Sequence, residues 1–139
     1  MLDVSDAPPA IRDLANWLAD EGFTTVRETI SDSGNQDVFF ESRGRIVHLN
    51  ATRGDWTIDI GLYGMTTTFH PDTWESWIAQ VPSPDKGSDF AHRVEYIKRN
   101  WSAAIELATL HPDAEAQLKA LDDDWVERRF GFRRRRGTQ

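Results

Sequence analysis

The chain has 139 residues, 39% apolar and 28% charged, which suits a single globular domain and leaves little room for two. It holds no cysteine, which excludes disulfides, thiolate metal sites and a cysteine nucleophile. Its 16 basic and 23 acidic residues give −7, but six arginines fall in the last twelve positions, so residues 1–127 carry −13 and the remainder +6. An acidic body argues against nucleic acid as the main ligand, because phosphate binding needs clustered Lys and Arg.

Residues 1–13 are acidic and lack the basic and apolar regions of a secretory signal. No apolar run approaches the roughly 20 residues that span a bilayer. The expected compartment is the cytosol, with no membrane partner. Residues 1–7 are expected to fray. Asp6 or Ala7 then caps a helix over about 8–21, opened by Pro8 and Pro9, striped by Ile11, Leu14, Trp17 and Leu18, and stopped by Gly22. Four strand-like segments follow, at 23–30, 38–42, 45–51 and 56–62. They are separated by Ser31–Asn35, Arg43-Gly44 and Thr52–Asp55, all turn chemistry, and tight turns between short strands predict an antiparallel meander. In the last strand Trp56, Ile58, Ile60 and Leu62 alternate with Asp55, Thr57, Asp59 and Gly61, so one face is buried and the other wet. Thr66–Phe69 is a candidate fifth strand.

His70-Pro71-Asp72-Thr73 opens a helix to about Val81 with Trp74, Trp77, Ile78 and Val81 on its apolar side; Glu75, three residues after Asp72, fits a capping box. A loop over 82–87 leads to a helix capped by Ser88, striped by Phe90, Val94, Ile97, Trp101 and Ile105, and ending near Leu110. The last helix starts at Pro112, carries Leu118, Leu121 and Trp125, and stops at Gly131. The predicted fold class is α+β: an N-terminal helix, a four- to five-stranded antiparallel meander, and three C-terminal helices packed on one sheet face. Residues 1–132 read as one domain and 133–139 as a basic, disordered tail.

His48, His70, His92 and His111 lie far apart in sequence with no paired spacing, so neither a metal site nor a cofactor is expected. His-Pro-Asp at 70–72 and 111–113 reads as a helix start, with proline at its first position and a carboxylate in its first turn, rather than as a J-domain tripeptide. Arg53-Gly54-Asp55 reads as a hairpin turn rather than as an adhesive motif. By strand parity, His48 and Asn50 share the wet face with Asp55, Thr57 and Asp59, and Glu41 joins them. That cluster suits protein docking, where carboxylates steer a basic partner. It also admits a competing reading as a small enzyme, with His48 and Asp59 as an acid–base pair. A third reading is an adaptor, binding another protein or, through Arg133–Arg136, nucleic acid or an anionic membrane.

The stretches Glu41–Leu49 and Arg53–Gly61 resemble the central hairpins of small actinobacterial immunity proteins of polymorphic or contact-dependent toxin systems. The shared element is an Arg-Gly turn, then Trp, then apolar residues alternating with Asp and Gly. A tryptophan-bearing helix follows, here with Trp74 and Trp77. The likeness spans about 40 residues. It implies a cytosolic protein, without cofactor or catalysis, that binds one cognate toxin and occludes its active site. The candidate partner-binding residues are His48, Arg53, Asp55, Asp59 and Glu75.

Overall fold

A computed structural model of the chain describes residues 7–82 and 87–130. Expectations for residues 1–6, for 83–86 of the loop, for Gly131 as a helix stop and for the 133–139 tail lie outside the described residues. Eight elements follow in order: α1 (Pro9–Asp20), β1 (Thr24–Ile30), β2 (Gln36–Ser42), β3 (Arg45–Thr52), β4 (Asp55–Leu62), α2 (Pro71–Ala79), α3 (Phe90–Leu110) and α4 (Ala114–Phe130). The fold is α+β, with one four-stranded antiparallel sheet in the order β1-β2-β3-β4.

The meander forms because two of its turns are as short as turns can be. Arg43-Gly44 and Arg53-Gly54 have positive φ at both central positions (51° and 79°, 54° and 82°), the mirror-image turn whose twist matches that of paired strands. These turns fix the pairs Ser42↔Arg45 and Thr52↔Asp55, and the register then runs unbroken through β2, β3 and β4. Burial alternates along β2 and β3 and through most of β4. Val38, Phe40, Val47, Leu49, Ala51, Trp56, Ile58 and Ile60 are buried on the inner face. There they join Ile11, Leu14 and Leu18 of α1 and Trp74, Ile97, Trp101 and Leu118 of the later helices in one hydrophobic cluster.

Several boundaries move. The N-cap of α1 is Pro8, and Gly22 N–H to Ala19 O with Phe23 N–H to Leu18 O closes its C-terminal end. β1 carries a bulge between Thr25 and Arg27, and its Val26 and Ile30 are exposed. β2 starts two residues before the expected Val38. The fifth strand reduces to one antiparallel bridge, Phe69 with Ile60, holding two 2.8 Å backbone hydrogen bonds. Asp89, not Ser88, caps α3, accepting from His92 N–H at 2.8 Å. α2 ends at Ala79, so Val81 lies beyond it and is exposed rather than on its apolar stripe. α4 begins at Ala114 rather than Pro112.

Ser88 is used elsewhere, and this ties the loop after α2 to that helix's first turn. His70 is the N-cap of α2, its Nδ1 accepting from Asp72 N–H at 3.0 Å. Asp72 is buried and accepts from the backbone N–H of Ser88 at 2.9 Å and from its hydroxyl. Burial alone would raise the Asp72 pKa. The two hydrogen bonds from Ser88 and the nearby His70 and Arg93 outweigh it and hold the carboxyl below its ordinary value of 3.8. A carboxyl depressed in the folded state stabilises fully above its unfolded pKa, and that contribution is lost as pH falls through the folded one. Acid unfolding should therefore steepen below about pH 4, and Asp72→Asn should flatten that limb in urea titrations at stepped pH.

Candidate functional site: the outer face of the sheet

The continuous register places outer-face side chains in straight rows across the strands. The central row is Arg27–Phe39–His48–Asp59, one residue from each strand. Beside it runs Thr29–Asp37–Asn50–Thr57, and on the other side Thr24–Glu41–Ile46–Gly61. The central row is a graded stack. The Arg27 guanidinium sits 4.0 Å over the Phe39 ring, and that ring is stacked on the His48 imidazole with centroids 4.0 Å apart and planes 2° from parallel. His48 lies between two carboxylates: Nε2 hydrogen-bonds Asp37, and Nδ1 is 4.0 Å from Asp59 Oδ2. Desolvation pushes the Asp37 carboxyl up, but hydrogen bonds with His48 and Asn50 and the charges of His48 and Arg27 leave it below its ordinary pKa.

One end of this face is walled. Residues 65–70 form a strap, pinned by the Phe69–Ile60 bridge and by Thr66, whose N–H and hydroxyl donate to Glu115 Oε2 of α4 at 2.8 and 2.7 Å. The strap lies so close to β4 that a Cβ on Gly61 would stand 3.0 Å from Thr68 Cγ2 and 3.4 Å from Thr67 O. A side chain at 61 is therefore crowded by close approach, not by backbone conformation, and one larger than a methyl has no room. Strap, sheet and α4 together enclose a groove of about 530 Å³ lined by Arg27, Phe39, His48, Asp59, the strap, Asp122 and Trp125.

Of the candidates from sequence, His48 and Asp59 come together as a cross-strand pair in this groove. Arg53 and Asp55 are exposed at the β3–β4 turn, where Arg53 N–H donates to Asn35 Oδ1 at 3.0 Å. Glu75 stands apart on α2. It does not close a capping box but pairs with His92 of α3 at 2.7 Å, lining a second groove with Ile78 and Tyr96. That bond, helped by the charges of Glu75, Asp72 and Asp89, raises the His92 pKa against desolvation. The Tyr96 hydroxyl beneath is buried without a hydrogen-bond partner, and burial and the Glu75 charge push its pKa well up. A buried hydroxyl with no partner is a net cost, so Tyr96→Phe should raise stability by about 1 kcal/mol in urea unfolding.

Sequence reasoning missed Arg27, Phe39, Asp37, Asp122 and Trp125. The signal for Phe39 was present: it alternates with Val38 and Phe40, so an inward pair forces it outward.

Among the described residues no group of three or more His, Asp or Glu side chains is placed to hold a metal ion, and no helix is long and apolar enough to cross a membrane. These features define an α+β protein that keeps one sheet face open and furnished with aromatic, imidazole and carboxylate groups. Compared with known proteins, the chain matches no family model, no curated protein and no solved structure.

Proposed function

We propose that the chain is an immunity protein: a stoichiometric inhibitor that docks its open sheet face on one cognate bacterial toxin and occludes the toxin's active site. The observation that carries this reading is the in-register row Arg27–Phe39–His48–Asp59 on the outer face of the sheet, lining a groove beside the strap and α4. Docking favours surfaces whose side chains are already fixed, because little rotamer entropy is then lost on binding. Phe39 and His48 are locked by stacking, and His48 also by Asp37. Phe39 and Trp125 are the aromatic anchors, Asp37 and Asp59 the steering charges, and Arg53 and Asp55 extend the surface at the hairpin tip. The acidic body, −13 over residues 1–127, complements a basic partner.

The experiment is co-expression with the toxin encoded beside the gene. The expected result is rescue of growth and a one-to-one complex on a sizing column. Asp59→Arg should weaken that complex by about 30-fold or more, as for a central interface residue. No rescue and no complex would reject the reading.

A second reading, general acid–base chemistry at His48, has one observation in its favour: the imidazole is held by Asp37 within reach of Asp59 in a groove of ligand-binding size. Stoichiometry separates the two. An inhibitor protects only up to one equivalent of toxin, whereas an enzyme acts below it.

A further inference from the structure

The groove between α2 and α3 shares no lining residue with the one on the outer face of the sheet, and its chemistry differs. Its volume is about 460 Å³, within the range of small-molecule sites. Ile78 and Ala79 of α2 and Ala103 of α3 give it apolar walls. Along α3, His92, Tyr96, Asn100 and Ala103 follow at steps of four, four and three residues, so they share one stripe with Tyr96 inside it. The charged groups of the groove are already matched, Glu75 with His92 at 2.7 Å and Glu95 with Arg99 at 3.0 Å. The group left over is the Tyr96 hydroxyl. Tyr96 is 7% exposed, and its hydroxyl has no hydrogen-bond partner among the described residues. A long side chain on a helix leans over the turn N-terminal to its own Cα, which carries this hydroxyl toward His92. The charge of Glu75 is felt there and helps to raise the phenol pKa. Glu75 and His92 are each about half exposed, and an exposed pair contributes little to stability, so these two side chains part readily.

We propose that this groove binds a small neutral molecule with a flat apolar body and a carboxamide, whose carbonyl oxygen accepts from the Tyr96 hydroxyl once Glu75 and His92 part. A phenol buried without an acceptor is a standing cost to the free protein, and an acceptor brought by a ligand removes that cost. An amide carbonyl is such an acceptor and carries no charge. A charged ligand would have to break one of the two ion pairs to be matched, and an anion would also approach a body of −13 over residues 1–127. The flat body covers Ile78, Ala79 and Ala103, which removes apolar surface from water. This site is separate from the docking role proposed above and does not depend on it.

The test uses the full chain and three probes: benzamide, benzoate as the anion of the same shape, and N-acetylglutamine methylamide, which carries the carboxamide on a peptide. The readout is the methyl signals of Ala79 and Ala103 in NMR, assigned with Ala79→Ser and Ala103→Ser. Benzamide should shift both signals saturably in the millimolar range, and benzoate and the glutamine peptide should each bind about tenfold more weakly. Tyr96→Phe keeps the ring and removes the donor. It should weaken benzamide about tenfold while the variant unfolds at higher urea than the parent, so lost binding is not lost fold. No saturable shift, equal affinity for benzamide and benzoate, or unchanged benzamide affinity in Tyr96→Phe would overturn the proposal. So would tighter binding of the glutamine peptide, since the groove would then be a protein-docking site. Toxin rescue without benzamide binding removes only this inference; benzamide binding without a toxin partner removes the docking role instead.

Discussion

Trp74→Ala is expected to remove about 3–5 kcal/mol of stability, the range for truncating a fully buried large aromatic. Domains of this size are stable by only about 5–15 kcal/mol, so the variant should unfold at much lower urea or be unfolded at 37 °C. The size of the effect follows from what Trp74 joins. Its ring meets Trp77 edge-on at 6.0 Å and Trp101 at 6.4 Å, linking α2 to α3, and its indole N–H donates to Ile60 O at 3.0 Å, linking α2 to β4. Trp77 continues the chain of contacts by donating to Gln117 of α4 at 2.7 Å. Trp74→Phe separates packing from hydrogen bonding. Ile60 O also accepts from Phe69 N–H, so losing the indole donor leaves no orphaned carbonyl. The phenylalanine variant should therefore retain most of the lost stability, at a cost of about 1–2 kcal/mol for the smaller ring.

Gly61→Val is the second large effect, and its sign is informative. In a strand of ordinary surroundings, valine in place of glycine stabilises, because glycine is a poor strand former. Here the new side chain has no room: the first carbon already meets Thr68 at 3.0 Å and the Thr67 carbonyl at 3.4 Å. Overpacking of this kind costs about 1–3 kcal/mol. The net result should be destabilisation, with the Trp125 indole signal moving because the strap can no longer lie on β4. Gly61→Ala needs only a few tenths of an ångström from the strap and should be near neutral. A stabilised Gly61→Val protein would mean that the strap is not seated as described.

The sheet was readable from sequence because its information is local. Alternation in Trp56–Leu62 and the two Arg-Gly turns set the inward face and the antiparallel neighbours, and parity put His48 and Asp59 on one face; their direct pairing comes from the register, which the sequence left open. The partner that hydrogen-bonds His48 was lost by one residue. With β2 read as starting at Val38, Asp37 lay in a loop, whereas in the sheet it sits diagonal to His48, on the residue before Val38. The groove's far wall was not readable at all. It depends on Glu115 reaching Thr66 across 49 positions, and on α4, whose polar and apolar residues are spread around the helix rather than gathered on one stripe. Glu75 shows the opposite failure. A local rule placed it in a capping box, and a histidine 17 residues away on another helix holds it instead.

The bridge between Phe69 and Ile60 has a consequence for how other chains can approach. An open sheet has two edges, and a straight edge with free backbone groups invites another strand to add to it, which is the route to fibrous aggregation. On β4 the Ile60 N–H and C=O are both engaged by Phe69, so an incoming strand cannot run along that edge without displacing the strap. On β1 the bulge after Thr25 breaks the spacing that a second strand would need. With both edges spoiled as templates, exposed Val26 and Ile30 notwithstanding, the sheet offers other molecules side chains rather than backbone. Strand addition is the less available mode, and a partner has to read the protein face-on.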